Sequence, residues 1–178
     1  MAMDNWLALF DGLTRYTLEI NDSRVTPDVL RFYGREALNE PFRWRIEFTS
    51  LQSDMAAEDV LMKYTTLRML SGRVVQGIIT GFEWLGTTAD QTHYAVTLSS
   101  RLSLLSHTRR CAVFQNLSVP ELVEQVLRTY GLEGSDFDFL LEKRYPQREL
   151  ITQWRESDLH SLSSVCSPKW ASGSARGE

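Results

Sequence analysis

The stretch FRWRIEFT, residues 42–49, constrains this chain more than any other. Phe42, Trp44, Ile46 and Phe48 alternate with Arg43, Arg45 and Glu47. Successive Cβ atoms leave a strand on opposite faces, so a period of two puts the apolar set on one side and the charges on the other. Such a strand belongs in an antiparallel sheet with one packed face and one wet face. Candidate partners lie nearby: residues 15–20 (RYTLEI), 29–36 (VLRFYGRE) and 93–100 (HYAVTLSS), the last after a polar turn over 87–91. TTLRML and RVVQGIITGFEWLG flank Ser71 and Gly72, two β-rich runs joined by two turn residues, which is a hairpin signal. Gly77 and Gly81 interrupt the second run and predict a bulge or sharp bend, as in a small barrel. Residues 56–64 (AAEDVLMKY) predict a short helix. Many short strands joined by turns point to a barrel or a sandwich.

After residue 117 the period changes. In LSVPELVEQVLRTYGLEG, Ser118 is the expected N-cap and Glu121 completes a capping box. Pro120 is tolerated in the first turn, where its missing N–H loses nothing. Leu122, Val123, Val126, Leu127 and Tyr130 form one apolar stripe. Gly131 suits the left-handed stop, with Leu132 packing back across the end. Two further strands are expected at 136–141 (DFDFLL) and 149–154 (ELITQW), separated by a polar connection. Ser157 or Asp158 then caps another helix.

With 178 residues the chain has room for one domain, or one domain and part of a second. Apolar residues make up 43% and charged residues 24%, enough for a core and unlike a disordered composition. The net charge of −4 argues against a general nucleic-acid binder, because a duplex is itself a dense anion. The N-terminus lacks the basic start, long apolar middle and small-residue cleavage site of a secretory signal, so synthesis and initial residence in the cytoplasm are expected. No stretch reaches the roughly 18 apolar residues of a membrane span. The two cysteines, Cys111 and Cys166, are expected to be free thiols.

Candidates for chemistry are few. His93, His107 and His160 are not at ligand spacing from one another or from a cysteine, which speaks against zinc. No nucleophile elbow, phosphate-binding loop or dinucleotide fingerprint is present. Glu156 and Asp158 could be cast as an acid–base pair, and Asp158 with His160 as a dyad. Carboxylates two apart at a helix start more often cap it and favour its dipole. The basic clusters at 107–111 (HTRRC) and 142–148 (EKRYPQR) read as solvated loops or contact rims, and the aromatics follow strand periodicity as core residues do.

Four blocks, in this order, carry more: LNEPFRWRIEFTSLQ, RVVQGIITGFEWLG, YAVTLSSRLSLLSHTRRCAVFQNLSVPELVEQVLRTYGL and YPQRELITQWRESDLH. Together they resemble the N-terminal part of VgrG proteins, the spike proteins of bacterial type VI secretion, and look related to phage tail hub and late-control D proteins. The resemblance implies a fold that is mainly β with α+β elements. A first hub-like β-barrel would span 1–105, the start of a second hub-like domain 106–160, and an aberrant tail 161–178. It implies a structural component of the spike, with no catalytic, cofactor-binding or metal-binding residues and no cofactor. Implied partners are two further copies in a homotrimer, the tube of Hcp rings, and effectors or adaptors through regions beyond this stretch. Export by the type VI apparatus without a signal peptide is implied too. Alternatives are a phage tail hub or baseplate protein, and a small hydrolase using Glu156, Asp158 or His160.

The segment SLSSVCSPKWASGSARGE, 161–178, loses the pattern. Read from the third base of each codon, residues 164–175 accommodate the family's expected Leu-Leu, Glu-Val-Gly and Trp-Phe-Arg, and the glycine is forced. A frameshift, hence a truncated spike protein with an unpacked tail and no designed role for Cys166 or Trp170, is therefore expected.

Overall fold

The computed structural model describes residues 16–37, 40–134 and 136–167. Two compact units divide the chain, Met1–Arg101 and Leu102–Glu178. The expected roles of Trp170 and of residues 168–178 lie outside the described residues.

The first unit is a closed six-stranded antiparallel barrel. Its strands are β1 (Tyr16–Ile20), β2 (Asp28–Ala37), β3 (Glu40–Ser50), β4 (Tyr64–Met69), β5 (Val74–Thr87) and β6 (Thr92–Ser99), paired in the order β1-β2-β3-β6-β5-β4 with β4 closing on β1. The alternation on β3 works as expected. Trp44, Ile46 and Phe48 are buried and Phe42 packs against them, with Leu67, Ile79, Val96 and Leu98 arriving from the other strands. Each such side chain contributes roughly 1.5–3 kcal/mol when fully buried. Tyr94 is buried among them with its polar tip satisfied: its hydroxyl donates to the Gln52 carbonyl at 3.0 Å and accepts the Met55 N–H at 3.3 Å.

The other face of β3 is less wet than its sequence suggests. Arg31 on β2 donates to Glu47 at 2.7 Å, and Arg45 grips Glu83 on β5 through two bonds of 2.6 and 2.7 Å. Arg45 also lies 3.6 Å from Glu47. This ladder roofs Ala95, which is 1% exposed. The hydrogen bond from Arg31, reinforced by both cations, outweighs burial and holds the Glu47 carboxyl below its ordinary range.

A hairpin forms at Ser71-Gly72, but its turn is longer than two residues: β4 ends at Met69 and β5 begins at Val74, and the Met69 N–H donates to the Arg73 carbonyl across Leu70, Ser71 and Gly72, the last at φ 81°. The strand glycines also have their expected reasons. The β5–β6 register shifts between Ile79 and Gly81, a bulge, and at Gly77 the backbone of β6 approaches so closely that a side chain would overlap Ser99.

Residues 56–64 correct one expectation: only Ala57–Asp59 is helical, as a single 3-10 turn. The Ile79 carbonyl accepts the Met62 N–H, and the Ile79 N–H donates to the Lys63 carbonyl. With those groups committed to β5, and Met62 in the left-handed region at φ 61°, a helix cannot propagate.

The second unit holds a short 3-10 helix (Arg101–Ser106, starting at the boundary), β7 (Arg109–Leu117), α1 (Val119–Thr129), β8 (Arg148–Ser157) and α2 (Asp158–Cys166). β7 and β8 form a two-stranded antiparallel sheet. Both caps of α1 form. The Glu121 carboxylate accepts the Ser118 N–H and hydroxyl, each at 2.7 Å. At the other end Gly131 takes φ 69°, its N–H reaches the Arg128 carbonyl, and the Leu132 N–H reaches the Leu127 carbonyl, a Schellman stop. Ser118→Ala is expected to cost about 1 kcal/mol, read as a lowered urea midpoint of this unit at unchanged m-value.

Three expectations fail in this unit. Residues 136–141 form no strand: Phe137 and Phe139 stack edge to face at 5.5 Å, but no described edge pairs with them. Residues 109–111 belong to β7, not to a solvated loop. Residues 161–166 are not an unpacked tail. They complete α2, with Ser161, Leu162 and Val165 buried.

Candidate functional site

Among the described residues of the second unit, Asp158 is the most enclosed ionisable group, at 2% exposure. It is the first residue of α2, and Ser157 is the cap, its hydroxyl oxygen accepting the His160 N–H at 3.2 Å. The Asp158 carboxylate accepts from Arg110 Nε at 2.8 Å on β7, Gln153 Nε2 at 2.8 Å on β8 and the Tyr130 hydroxyl at 2.7 Å at the end of α1. One side chain thus ties four elements together. Burial alone would push its carboxyl up, but those three bonds outweigh burial and hold it below the usual carboxylate range. Burial, and then the bond to Asp158, push the Tyr130 hydroxyl up.

A local irregularity lies beside the junction. The β7–β8 register runs from Ala112↔Gln153 to Arg110↔Glu156, so β8 carries one residue more than β7. Arg155 lies in this bulge at φ 51°. Ahead of the bulge, ordinary strand alternation keeps Gln153 inward and Trp154 outward, at 74% exposure.

The three residues weighed as acid–base partners are not brought to one place. Asp158 faces inward and is occupied by donors. Glu156 and His160 meet one turn apart at the surface, Oε2 to Nε2 3.6 Å. A carboxylate held ionised by three donors is unsuited to giving a proton, and its geometry is that of a structural tie. Among the described residues, no three His, Cys, Asp or Glu side chains converge as metal ligands do.

The basic clusters separate. From 107–111, Arg110 goes into the junction, while His107 Nδ1 lies 3.0 Å from the Ser103 carbonyl. Residues 142–147 are an exposed connection, as expected, whereas Arg148 opens β8 and is half-buried. Sequence reasoning missed Arg110. The signal was present in the alternation Arg110, Ala112, Phe114, which matches the inward face of β7.

The sheet has a second, apolar face. Ile151 and Gln153 are buried toward the helices, whereas Val113 and Leu150 are 62% and 55% exposed on the opposite side. Cys111 and Cys166 are both free thiols. No described helix is long and apolar enough to cross a membrane.

Comparison with known proteins gives the same picture at three levels. Residues 35–167 match the family described as phage tail baseplate hub (GPD). A type VI secretion system spike protein, VgrG5 of Pseudomonas aeruginosa, is 36% identical over 155 residues, 86% of this chain and 20% of that protein. The chain thus spans about a fifth of the length of this curated relative. Among solved structures, the c3393 protein of E. coli superposes with a TM-score of 0.80 at 40% identity, over 83% of this chain and 41% of that one. It is described as a component of the type VI secretion system similar to the T4 bacteriophage tail proteins gp27 and gp5. The 43 kDa tail protein of prophage MuSo2 from Shewanella oneidensis shares the fold at 12% identity, with a TM-score of 0.58 over 84% of this chain. A closed barrel followed by an α+β unit, and a family match running through both, make this chain a member of the phage tail baseplate hub family, of the kind found in VgrG spike proteins of type VI secretion.

Proposed function

We propose that the chain serves as hub material of a type VI spike, a structural component and not an enzyme. The observation that carries this reading is the likeness to the E. coli type VI component, 40% identical across 83% of the chain. In this reading the barrel is the first hub domain, the second unit is the start of the next, and three copies assemble to cap a tube of Hcp rings. No residue has a catalytic, cofactor or metal role, and Asp158 holds the second unit together. Synthesis is cytoplasmic, and the assembled spike leaves through the contractile apparatus.

The assembly is tested by mixing the purified chain with Hcp rings and measuring mass by light scattering after size exclusion. A trimer that co-elutes with rings is the expected product if this stretch carries the trimer and ring contacts. Because it spans a fifth of its curated relative, it is expected not to restore secretion in a strain deleted for its spike. Restored Hcp release by this chain alone would overturn that part. A phage tail hub is the second reading, favoured by the shared fold of the prophage tail protein. Sheath and Hcp genes beside the coding sequence support the first reading, and capsid and terminase genes the second.

A further inference from the structure

β1 is held unevenly in the barrel. Against β4 it is paired at every residue, from Tyr16↔Met69 to Ile20↔Thr65, but against β2 at Thr17↔Asp28 alone. β2 runs on to Ala37, bonded to β3 along its length. Among the described residues, the backbone of 29–37 has no partner strand on its β1 side. Side chains close that stretch instead. We propose that the barrel opens between β1 and β2, and that Glu36 is the latch on this seam.

Tyr16 meets Phe32 edge to face across the seam, ring centroids 4.8 Å apart, and Phe32 leans on Trp44 at 5.5 Å. The Trp44 indole lies against the backbone of Gly34, where a Cβ would come within 2.2 Å of the ring. Its Nε1–H donates to Glu36 Oε1 at 3.0 Å, and the Arg73 guanidinium sits 5.5 Å from its ring centroid. Arg73, in the turn between β4 and β5, also donates to Glu36 Oε2. Glu36 therefore fastens β2 and β3 to the hairpin that carries β4, the strand to which β1 is bonded. Opening between any other two strands breaks a row of backbone hydrogen bonds. Opening here breaks one bridge pair and this clasp, with β1 leaving beside β4 and β2 staying on β3. The Arg73–Glu36 pair is 50% and 42% exposed, so water screens it, and the Trp44 bond and the ring contacts carry most of the hold. An opening of this kind lies below the free energy of global unfolding. It bares Phe32 and Trp44 and turns β2 into an unpaired edge that a further strand can join. The inference stands apart from the spike reading, since it needs only the barrel.

The test is thiol labelling of the full chain in a Cys111→Ser, Cys166→Ser background. Leu18→Cys puts a buried thiol on β1 beside the seam, and Leu98→Cys puts one on β6, which is paired on both sides. Leu18→Cys is expected to react at least tenfold faster than global unfolding of the same variant allows, as measured by urea titration, and Leu98→Cys at the global rate. Glu36→Ala is expected to speed Leu18→Cys about fivefold more, the worth of one lost hydrogen bond. Arg73→Met is expected to speed it about twofold, as suits an exposed ion pair. Arg73 lies in an exposed turn, so that variant keeps the test valid if Glu36→Ala unfolds the barrel. Labelling of Leu18→Cys at the global rate, or indifference to both substitutions, would overturn the proposal. So would Leu98→Cys reacting as fast as Leu18→Cys, which would place the opening between other strands. Removal of residues 1–15 that speeds Leu18→Cys at least tenfold, with Glu36→Ala without effect, would make that segment the closure of the seam and overturn the proposal equally.

Discussion

Arg110→Leu is expected to destabilise the second unit by about 2 kcal/mol at pH 7, because the buried Asp158 charge loses a donor, while Arg110 itself is 39% exposed and water makes good part of what it supplied. Tyr130 and Gln153 remain to donate to Asp158, which limits the loss further. The pH dependence separates this from lost packing. In the native chain the Asp158 carboxyl is held below its ordinary value near 3.8. A depressed carboxyl stabilises the folded state above its unfolded value, and that contribution is lost as pH falls through the lower, folded one. Native stability should therefore hold down to roughly pH 5 and then decline as the carboxyl is protonated. Without Arg110 its hydrogen bond and its charge no longer offset burial, so the Asp158 carboxyl lies higher than in the native chain. The variant's deficit is therefore largest at neutral pH and shrinks as Asp158 takes up a proton. Urea midpoints of the two chains from pH 8 down to about pH 2 give the comparison. A deficit that stays constant across that range would mean that Arg110 acts by packing alone.

Gly77→Ala should cost the barrel about 3 kcal/mol, near the top of the usual range for overpacking. The added methyl would overlap the carbonyl oxygen of Ser99 and lie 3.1 Å from Phe42 Cζ. Backbone sits in the way, and Ser99 is fully buried and paired with Ile78 in the β5–β6 ladder, so no side chain can swing aside. For a domain of about 100 residues a loss of that size lowers the melting temperature by about 10 °C or more. Gly134→Ala is the control. Nothing lies within 4 Å of that Cβ position, and the change should stay within about 0.5 kcal/mol. Equal melting temperatures for the two variants would mean that β5 and β6 are not pressed together at Gly77.

The two variants probe different kinds of information. Gly77 could be suspected from its place inside an apolar run, because glycine in a strand implies a bend or a close approach. What it approaches could not, since Ser99 lies on another strand. Likewise Asp158 stands out as a helix-start acid, but Arg110 is 48 positions away and looks like part of a basic loop. The same limit explains the misread segments. Residues 56–64 have a helix-like composition, and β5 takes their backbone groups. Residues 136–141 alternate as a strand does, yet a strand exists only where an edge is free to pair. The serine-rich stretch at 161–166 looks patternless, but Leu162 and Val165 fall on the buried side of α2.

By itself the sequence determined whatever is closed within a few residues. The alternation on β3, the presence of a hairpin around Ser71-Gly72, and both caps of α1 follow from steric rules and hydrogen bonds that span at most one turn. Only the tertiary structure decided which strands pair, that β4 closes on β1, that an ion-pair ladder roofs Ala95, and that Asp158 ties four elements together. Those outcomes depend on groups brought together from distant positions. Contact, burial and exclusion of water give them their energies, and none of these exists until the chain has closed on itself.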